Sequence, residues 1–261
     1  MLQYDAILID ADDTLLDFRT AERNAIAEVI EALGISDPEA GEVYSRINHA
    51  CWKEFERGTM TQAELRVRRF GDFLQFYGVS ADPEEVGGRF TGALSRQGML
   101  LPGALEAVRA IAERLPVALV TNGISSVQHG RIDASPLRPY ISALVISGEV
   151  GFQKPDPRMI FRALEMLGGV EPGRALMAGD SLTSDVLAAT AAMAERANVT
   201  PQALMHCRST GDRSVHPSGR PRSAFLPRPR PLISSVCSGS EGSCSGSAGF
   251  WSDSRRALIR A

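Results

Sequence analysis

Apolar residues recur along this chain with two different periods, and the switch between them divides it. Ala6-Ile7-Leu8-Ile9 is a short unbroken apolar run, as expected of a strand buried on both faces, and it stops at Asp10-Ala11-Asp12-Asp13-Thr14. From Phe18 the period becomes helical. Ile26, Val29, Ile30 and Leu33 fall at the i, i+3, i+4, i+7 spacing, with Thr20 as the expected N-cap and Gly34 as the stop. A second helix is expected from Asp37-Pro38, with proline at the first helical position, to about Arg57-Gly58. Thr61-Gln62-Ala63-Glu64 has the capping-box pattern and opens a third, on which Phe70, Phe73, Leu74 and Tyr77 share a side. Asp82-Pro83-Glu84-Glu85 opens a fourth carrying Val86, Phe90 and Leu94. Four helices with no strand among them form an insertion.

Strands return after Leu101-Pro102-Gly103 and alternate with helices. A helix is expected over 104–115, then a strand over 117–120 ending at Thr121-Asn122-Gly123, a helix near 125–134 and a strand within 141–146. Lys154-Pro155-Asp156-Pro157 precedes a helix with Ile160, Phe161, Leu164 and Leu167, and a strand over 175–178 ends at Gly179-Asp180-Ser181-Leu182-Thr183-Ser184-Asp185. Repeated strand and helix units predict an α/β fold with a doubly wound parallel sheet. The expected layout is a core of residues 1–17 and 99–190, an inserted four-helix cap over 18–98, and an atypical tail over 191–261.

Composition changes this picture mainly at the C-terminal end. Over 261 residues the hydrophobic content is 44% and the mean hydropathy is -0.07, as expected of a globular chain. No apolar run approaches the roughly 20 residues of a membrane span, and no basic-then-apolar leader precedes the first strand, so a cytoplasmic location and no membrane partner are expected. Cys51, Cys207, Cys237 and Cys244 show neither paired nor zinc-ligand spacing. Residues 207–261 hold nine Arg, no Lys and three acids, leaving a net charge of -9 on residues 1–206. An acidic body offers no footprint for a nucleic-acid polymer. Past residue 191, Ser, Pro, Arg and Gly dominate without periodicity, which predicts a disordered tail. It also raises the expectation of an altered reading frame, because such a sheet usually continues with another strand, for which only 203–205 offers a weak candidate.

The polar residues that matter stand at the ends of the apolar runs. Asp10, at the carboxyl end of the first strand, is the candidate nucleophile, and at strand spacing Asp12 shares its face. Two carboxylates so close repel unless a cation neutralises them, and a hard ion with oxygen ligands, Mg²⁺, fits best. The plainer reading is a solvated strand-end turn. The later strand ends supply Thr121, Lys154, and Asp180 with Asp185, which a parallel sheet can bring to one edge. The chemistry that needs this set is phosphoryl transfer through an aspartyl phosphate. Lys154 is informative against the chain's own usage of 26 Arg and two Lys, since a compact ammonium fits where a guanidinium fork does not.

These residues resemble the haloacid dehalogenase (HAD) superfamily of phosphatases. Its four motifs read here, in the family's order, as Asp10-Ala11-Asp12-Asp13-Thr14, Val120-Thr121-Asn122, Lys154-Pro155 and Gly179-Asp180 through Asp185, over residues 1 to about 190. The runs around them look like those of bacterial pyrimidine 5′-nucleotidases. The resemblance implies a Rossmann-like HAD core, with Asp10 as phosphorylated nucleophile and Asp12 as general acid that later activates water. It implies that Thr121 and Lys154 hold the phosphoryl group, with Asn122 beside them as a substrate-binding residue. Mg²⁺ would be held by Asp10, the Asp12 backbone carbonyl and Asp180, with Asp185 as ligand or support. The cap would close on the rest of a small phosphomonoester, a nucleoside monophosphate, with Asn48, Trp52 and Lys53 where a cap can touch a base. The family's Ala-Gly turn and last strand are not found after Ala189.

Haloalkanoate dehalogenation, the nearest rival, expels halide and needs neither a proton nor Mg²⁺, so the acid at Asp12 argues against it. Phosphatases on small sugar or organic phosphates, and phosphomutases, use the same intermediate. A phospho-accepting receiver uses similar residues but has no helical insertion after its first strand. An inactive product of an altered C-terminus is the remaining alternative.

Overall fold

A computed structural model of the chain describes residues 4–197 and 257–260. The elements run β1 (Ala6–Ile9), α1 (Phe18–Ala32), α2 (Ala40–Glu56), α3 (Gln62–Tyr77), α4 (Pro83–Ser95), α5 (Ala104–Ala112), β2 (Val117–Thr121), α6 (Ser125–Asp133), β3 (Ala143–Ile146), α7 (Ser147–Val150), α8 (Arg158–Met166), β4 (Ala175–Gly179), α9 (Leu187–Ala197) and β5 (Ala257–Arg260). A π-helical turn, Leu182–Val186, leads into α9.

Two compact units are built from interleaved pieces of chain. The first comprises Met1–Leu15, Leu101–Asn122 and Pro139–Ala261; the second comprises Leu16–Leu100 and Gly123–Arg138.

The first unit is organised on a sheet of order β3-β2-β1-β4-β5. β1 pairs parallel with β2 (Ile9 opposite Leu119) and with β4 (Ile9 opposite Ala178), and β2 pairs parallel with β3 (Thr121 opposite Ile146). The near-continuous apolar runs of β1, β2 and β3 suit strands covered on both faces. Ala6, Leu8, Ala118, Val120, Val145 and Met177 pack with Met159, Ile160, Ala163 and Leu164 of α8 and the small residues Ala188, Ala189 and Ala192 of α9. Helical order extends further than the composition past residue 191 suggests, since α9 runs to Ala197. The sheet also gains a strand from a distant stretch: the backbone of β5 pairs antiparallel with β4. The strand candidate at 203–205 and the remainder of the expected disordered tail lie outside the described residues.

The second unit is helical, and its core is aromatic. Tyr44 of α2 stacks on Phe70 of α3 at 5.2 Å between ring centroids and meets Phe90 of α4 at 5.1 Å. Thr61 and Glu64 form the expected capping box on α3, and Asp82 caps α4 with Pro83 at its start. Two expected starts shift. Asp17, not Thr20, caps α1, accepting a hydrogen bond from the Thr20 backbone N–H. α2 begins at Ala40 rather than at Pro38, because Asp37 accepts from the Glu39 N–H and closes a turn ahead of the helix. α6 packs here too. Ile124 and Val127 join the aromatic cluster, and a Cβ added at Gly130 would sit 2.7 Å from the Ser95 carbonyl oxygen, so α6 approaches the end of α4 where only glycine fits.

Candidate active site

The site is assembled at the carboxyl ends of β1, β2 and β4, all in the first unit. β1 ends at Ile9, and the Asp10 N–H still donates to the Ala178 carbonyl of β4 at 2.9 Å, so the nucleophile candidate is held on the sheet's own ladder. The chain then turns. Leu15 N–H donates to Ala11 O at 2.9 Å, and Asp13 adopts φ 56°, the left-handed region that aspartate tolerates better than most residues. This turn brings Thr14 back over the strand end, where its hydroxyl donates to Asp10 Oδ2 at 3.2 Å.

Lys154 fills the centre of the site, with only 2% of its surface exposed. Its Nζ donates to Asp10 Oδ1 at 2.6 Å, to Asp185 Oδ1 at 2.6 Å and to the Val120 carbonyl at 2.7 Å. An ammonium has three donors, and here each has an acceptor. The Lys154 backbone N–H donates to Asn122 Oδ1 at 2.8 Å, and Asn122 Nδ2 donates to the Lys154 carbonyl at 2.9 Å. Asp185 is held at its other oxygen by the Ser181 N–H at 3.1 Å. Its approach depends on Gly179: a Cβ there would lie 2.1 Å from Asp185 Oδ2.

Burial pushes the Asp10 carboxyl above its ordinary value, with Asp185 and Asp12 adding to the rise and Lys154 opposing it. Burial works against the charge on Lys154, but Asp10 and Asp185 outweigh it and hold its pKa above the ordinary lysine value. Asp180, half-buried, is raised by burial and then by Asp185 and Asp13. Burial leads for both aspartates, and an excess of negative charge adds to it. Asp10, Asp180 and Asp185 each offer a carboxylate oxygen, all within 4.8 Å of one another, and one ammonium faces them. All the donors are oxygen and the net charge is negative, which is the chemistry that suits a hard divalent cation such as Mg²⁺.

The residues singled out in the sequence therefore divide. Asp10, Lys154 and Asp185 are in direct contact, and Asp180 joins them through the carboxylate cluster. Asp12 is near enough to raise Asp10, but its carboxylate is not part of that cluster, in which the partners of Asp10 come from the segment that follows β4. Thr121, 1% exposed, ends β2 two residues beyond the partner of Ile9. Among the helical-unit residues, Asn48 is buried, donating to Glu22 Oε1 at 2.6 Å and accepting from Arg69 Nη1 at 3.0 Å. Lys53 is exposed and paired with Glu56 at 3.2 Å, and Trp52 packs edge-on against Phe55. The contact of Thr14 with Asp10 escaped the sequence reading, although an acid and a hydroxyl four residues apart across a strand-end turn carry that signal.

A family model for haloacid dehalogenase-like hydrolases matches residues 4–192. The pyrimidine 5′-nucleotidase PynA of Streptococcus pneumoniae is 34% identical over 185 residues, 70% of this chain and 78% of that protein. The pyrimidine 5′-nucleotidase YjjG of Escherichia coli is 31% identical over 188 residues, 71% of this chain and 81% of that protein. Among solved structures, the HAD-hydrolase YfnB of Bacillus subtilis, crystallised bound to magnesium, superposes with a TM-score of 0.68 at 32% identity, covering 72% of this chain and 83% of that one. A buried aspartate at the end of the first strand, a lysine bridging it to a second aspartate, and a match that spans the four parallel strands β1 to β4 place this chain in the haloacid dehalogenase-like hydrolase family.

Proposed function

We propose that the chain is a Mg²⁺-dependent phosphomonoester hydrolase that works through an aspartyl phosphate on Asp10, with pyrimidine nucleoside monophosphates as substrates. The observation that carries the reading is the Lys154 ammonium held between Asp10 and Asp185 in a buried site with an excess of carboxylates. The two pyrimidine 5′-nucleotidases among the relatives support the choice of substrate.

The hydrogen bonds from Lys154 and Thr14 fix both oxygens of the Asp10 carboxylate, so the side chain is oriented before substrate arrives. An Asp10 oxygen attacks phosphorus and the bond to the ester oxygen breaks. Asp12 in its acid form gives its proton to the departing oxygen, and the nucleoside leaves. Asp12, now a carboxylate, takes a proton from water as that water attacks the phosphoryl group, and inorganic phosphate and free Asp10 are regenerated. Thr121 offers its hydroxyl to a phosphoryl oxygen, and Lys154, whose three N–H bonds go to Asp10, Val120 and Asp185, stabilises the growing negative charge through its field. Asp10 and Asp180, with Asp185 in support, would hold Mg²⁺, which supplies neutralisation of the carboxylates and of the phosphate dianion.

The test is phosphate release by the full chain from nucleoside monophosphates and small sugar phosphates, with and without EDTA. The expected result is Mg²⁺-dependent release preferring pyrimidine substrates, and a fall to background in Asp10→Asn with the melting curve preserved. Near-full activity in Asp10→Asn overturns the mechanism; equal or better turnover of sugar phosphates overturns the substrate.

A further inference from the structure

We propose that Asn122 is a positioning residue for Lys154, and that its side-chain amide is committed to the protein rather than to substrate. The inference rests on the phosphatase reading for its catalytic consequence, but the geometry stands by itself. Asn122 Oδ1 accepts from the Lys154 N–H at 2.8 Å, and Asn122 Nδ2 donates to the Lys154 carbonyl at 2.9 Å, across 32 residues of sequence. One side chain thus grips both polar groups of a single residue's main chain, as a neighbouring strand would. Two bonds to one residue fix orientation as well as distance, whereas a single bond leaves a swivel.

The same strand end holds the other extremity of the lysine. Val120, the fourth residue of β2, accepts from Lys154 Nζ at 2.7 Å, and Asn122 follows the strand by one residue. A lysine carries about 2 kcal/mol of rotamer entropy that must be suppressed to keep its charge in place. Here the main chain is pinned at one end and the ammonium at the other, both by residues 120 and 122. The tolerance is small because Nζ sits 2.6 Å from each of two carboxylates that repel each other. Freeing the loop lets the ammonium drift from one aspartate toward the other, so that Asp10 loses its fixed orientation. One donor and one acceptor of this amide are spent on the Lys154 main chain, so the side chain is oriented by the protein before any ligand arrives.

The chain has two lysines, Lys53 and Lys154, which makes the proposal directly readable by NMR. Isotope-labelled lysine in the full-length protein gives two side-chain ammonium signals. The buried, three-fold bonded Lys154 exchanges slowly with water, and the exposed Lys53 serves as internal control. In Asn122→Ala the Lys154 signal is expected to shift and exchange about tenfold faster, the scale of one to two lost hydrogen bonds. Lys53 should be unchanged. Where turnover is measured, kcat should fall about 100-fold, as for a small misplacement of a reacting group, with KM moving less than about threefold. An unshifted Lys154 signal overturns the proposal. So does a rise in KM with kcat retained, which would make Asn122 a substrate contact. If the wild-type chain releases no phosphate, the phosphatase reading fails while the lysine signal still decides the clamp. If Asn122→Ala loses its cooperative melt, the same measurements on Asn122→Ser, whose one hydroxyl cannot make both hydrogen bonds in this geometry, decide it: an unshifted Lys154 signal refutes the clamp, and a shift supports it.

Discussion

Each N–H bond of the Lys154 ammonium has a protein acceptor, and two of those acceptors are carboxylates. Such an arrangement is costly to bury and persists because every polar atom in it is matched. Gly179 is the point at which it is most exposed to a single substitution. In Gly179→Ala the new methyl would occupy the place of Asp185 Oδ2, so the carboxylate must swing away from Lys154. We expect a loss of about 1–3 kcal/mol of stability, the usual scale of overpacking, together with loss of phosphate release. Thermal denaturation and turnover of the same sample check both; an unchanged melt would mean that Asp185 relocates freely. Asp10, Lys154, Asp180 and Asp185 were legible in the sequence because charged residues at the ends of apolar runs are conspicuous. The work of Asn122 and Thr14 was not, since a hydrogen bond to a main chain or to a nearby carboxylate leaves no mark in residue type or period.

At the scale of elements, the strands could be read from their short apolar runs, and α3 and α4 were marked twice, by apolar period and by cap, whereas α2 has no side-chain cap and its start was misplaced. The cap expected at Thr20 is instead Asp17, three residues earlier. The π-helical turn at Leu182–Val186 and the allegiance of α6 were also hidden. α6 carries few apolar residues, and what ties it to α4 is the closeness allowed by Gly130. One link between elements has a readable pH dependence. The Tyr77 hydroxyl at the end of α3 donates to Asp37 Oδ2 at 2.7 Å, ahead of α2, and with the Glu39 N–H it holds the Asp37 carboxyl below its usual value. A carboxyl depressed in the folded state contributes stability above its unfolded value of about 4, and that contribution is lost as pH falls through the folded value. The Tm of Tyr77→Phe should therefore lie below that of the parent at pH 7, and the gap should narrow as pH falls below the unfolded value of about 4. A gap independent of pH would assign the effect to packing alone.

Across the whole molecule, each unit has its own core, and neither is a continuous stretch of sequence. The expected layout gave residues 123–138 to the sheet, whereas their packing is with the helices. Residues 16–100 expressed alone therefore leave uncovered the apolar surface that Ile124 and Val127 meet. That fragment should retain helical far-ultraviolet circular dichroism but lack a cooperative melt, as expected of a collapsed chain without fixed packing. The same fragment joined by a linker to residues 123–138 should melt cooperatively; two equally sharp transitions would show that α6 adds nothing. The interleaving has a consequence for ancestry as well as for folding. A recombination event that exchanged the insertion after β1 between two relatives would carry four helices across and leave the fifth behind with its old neighbours. The helical module can be inherited only as a matched pair of segments, so its two pieces are bound to diversify together.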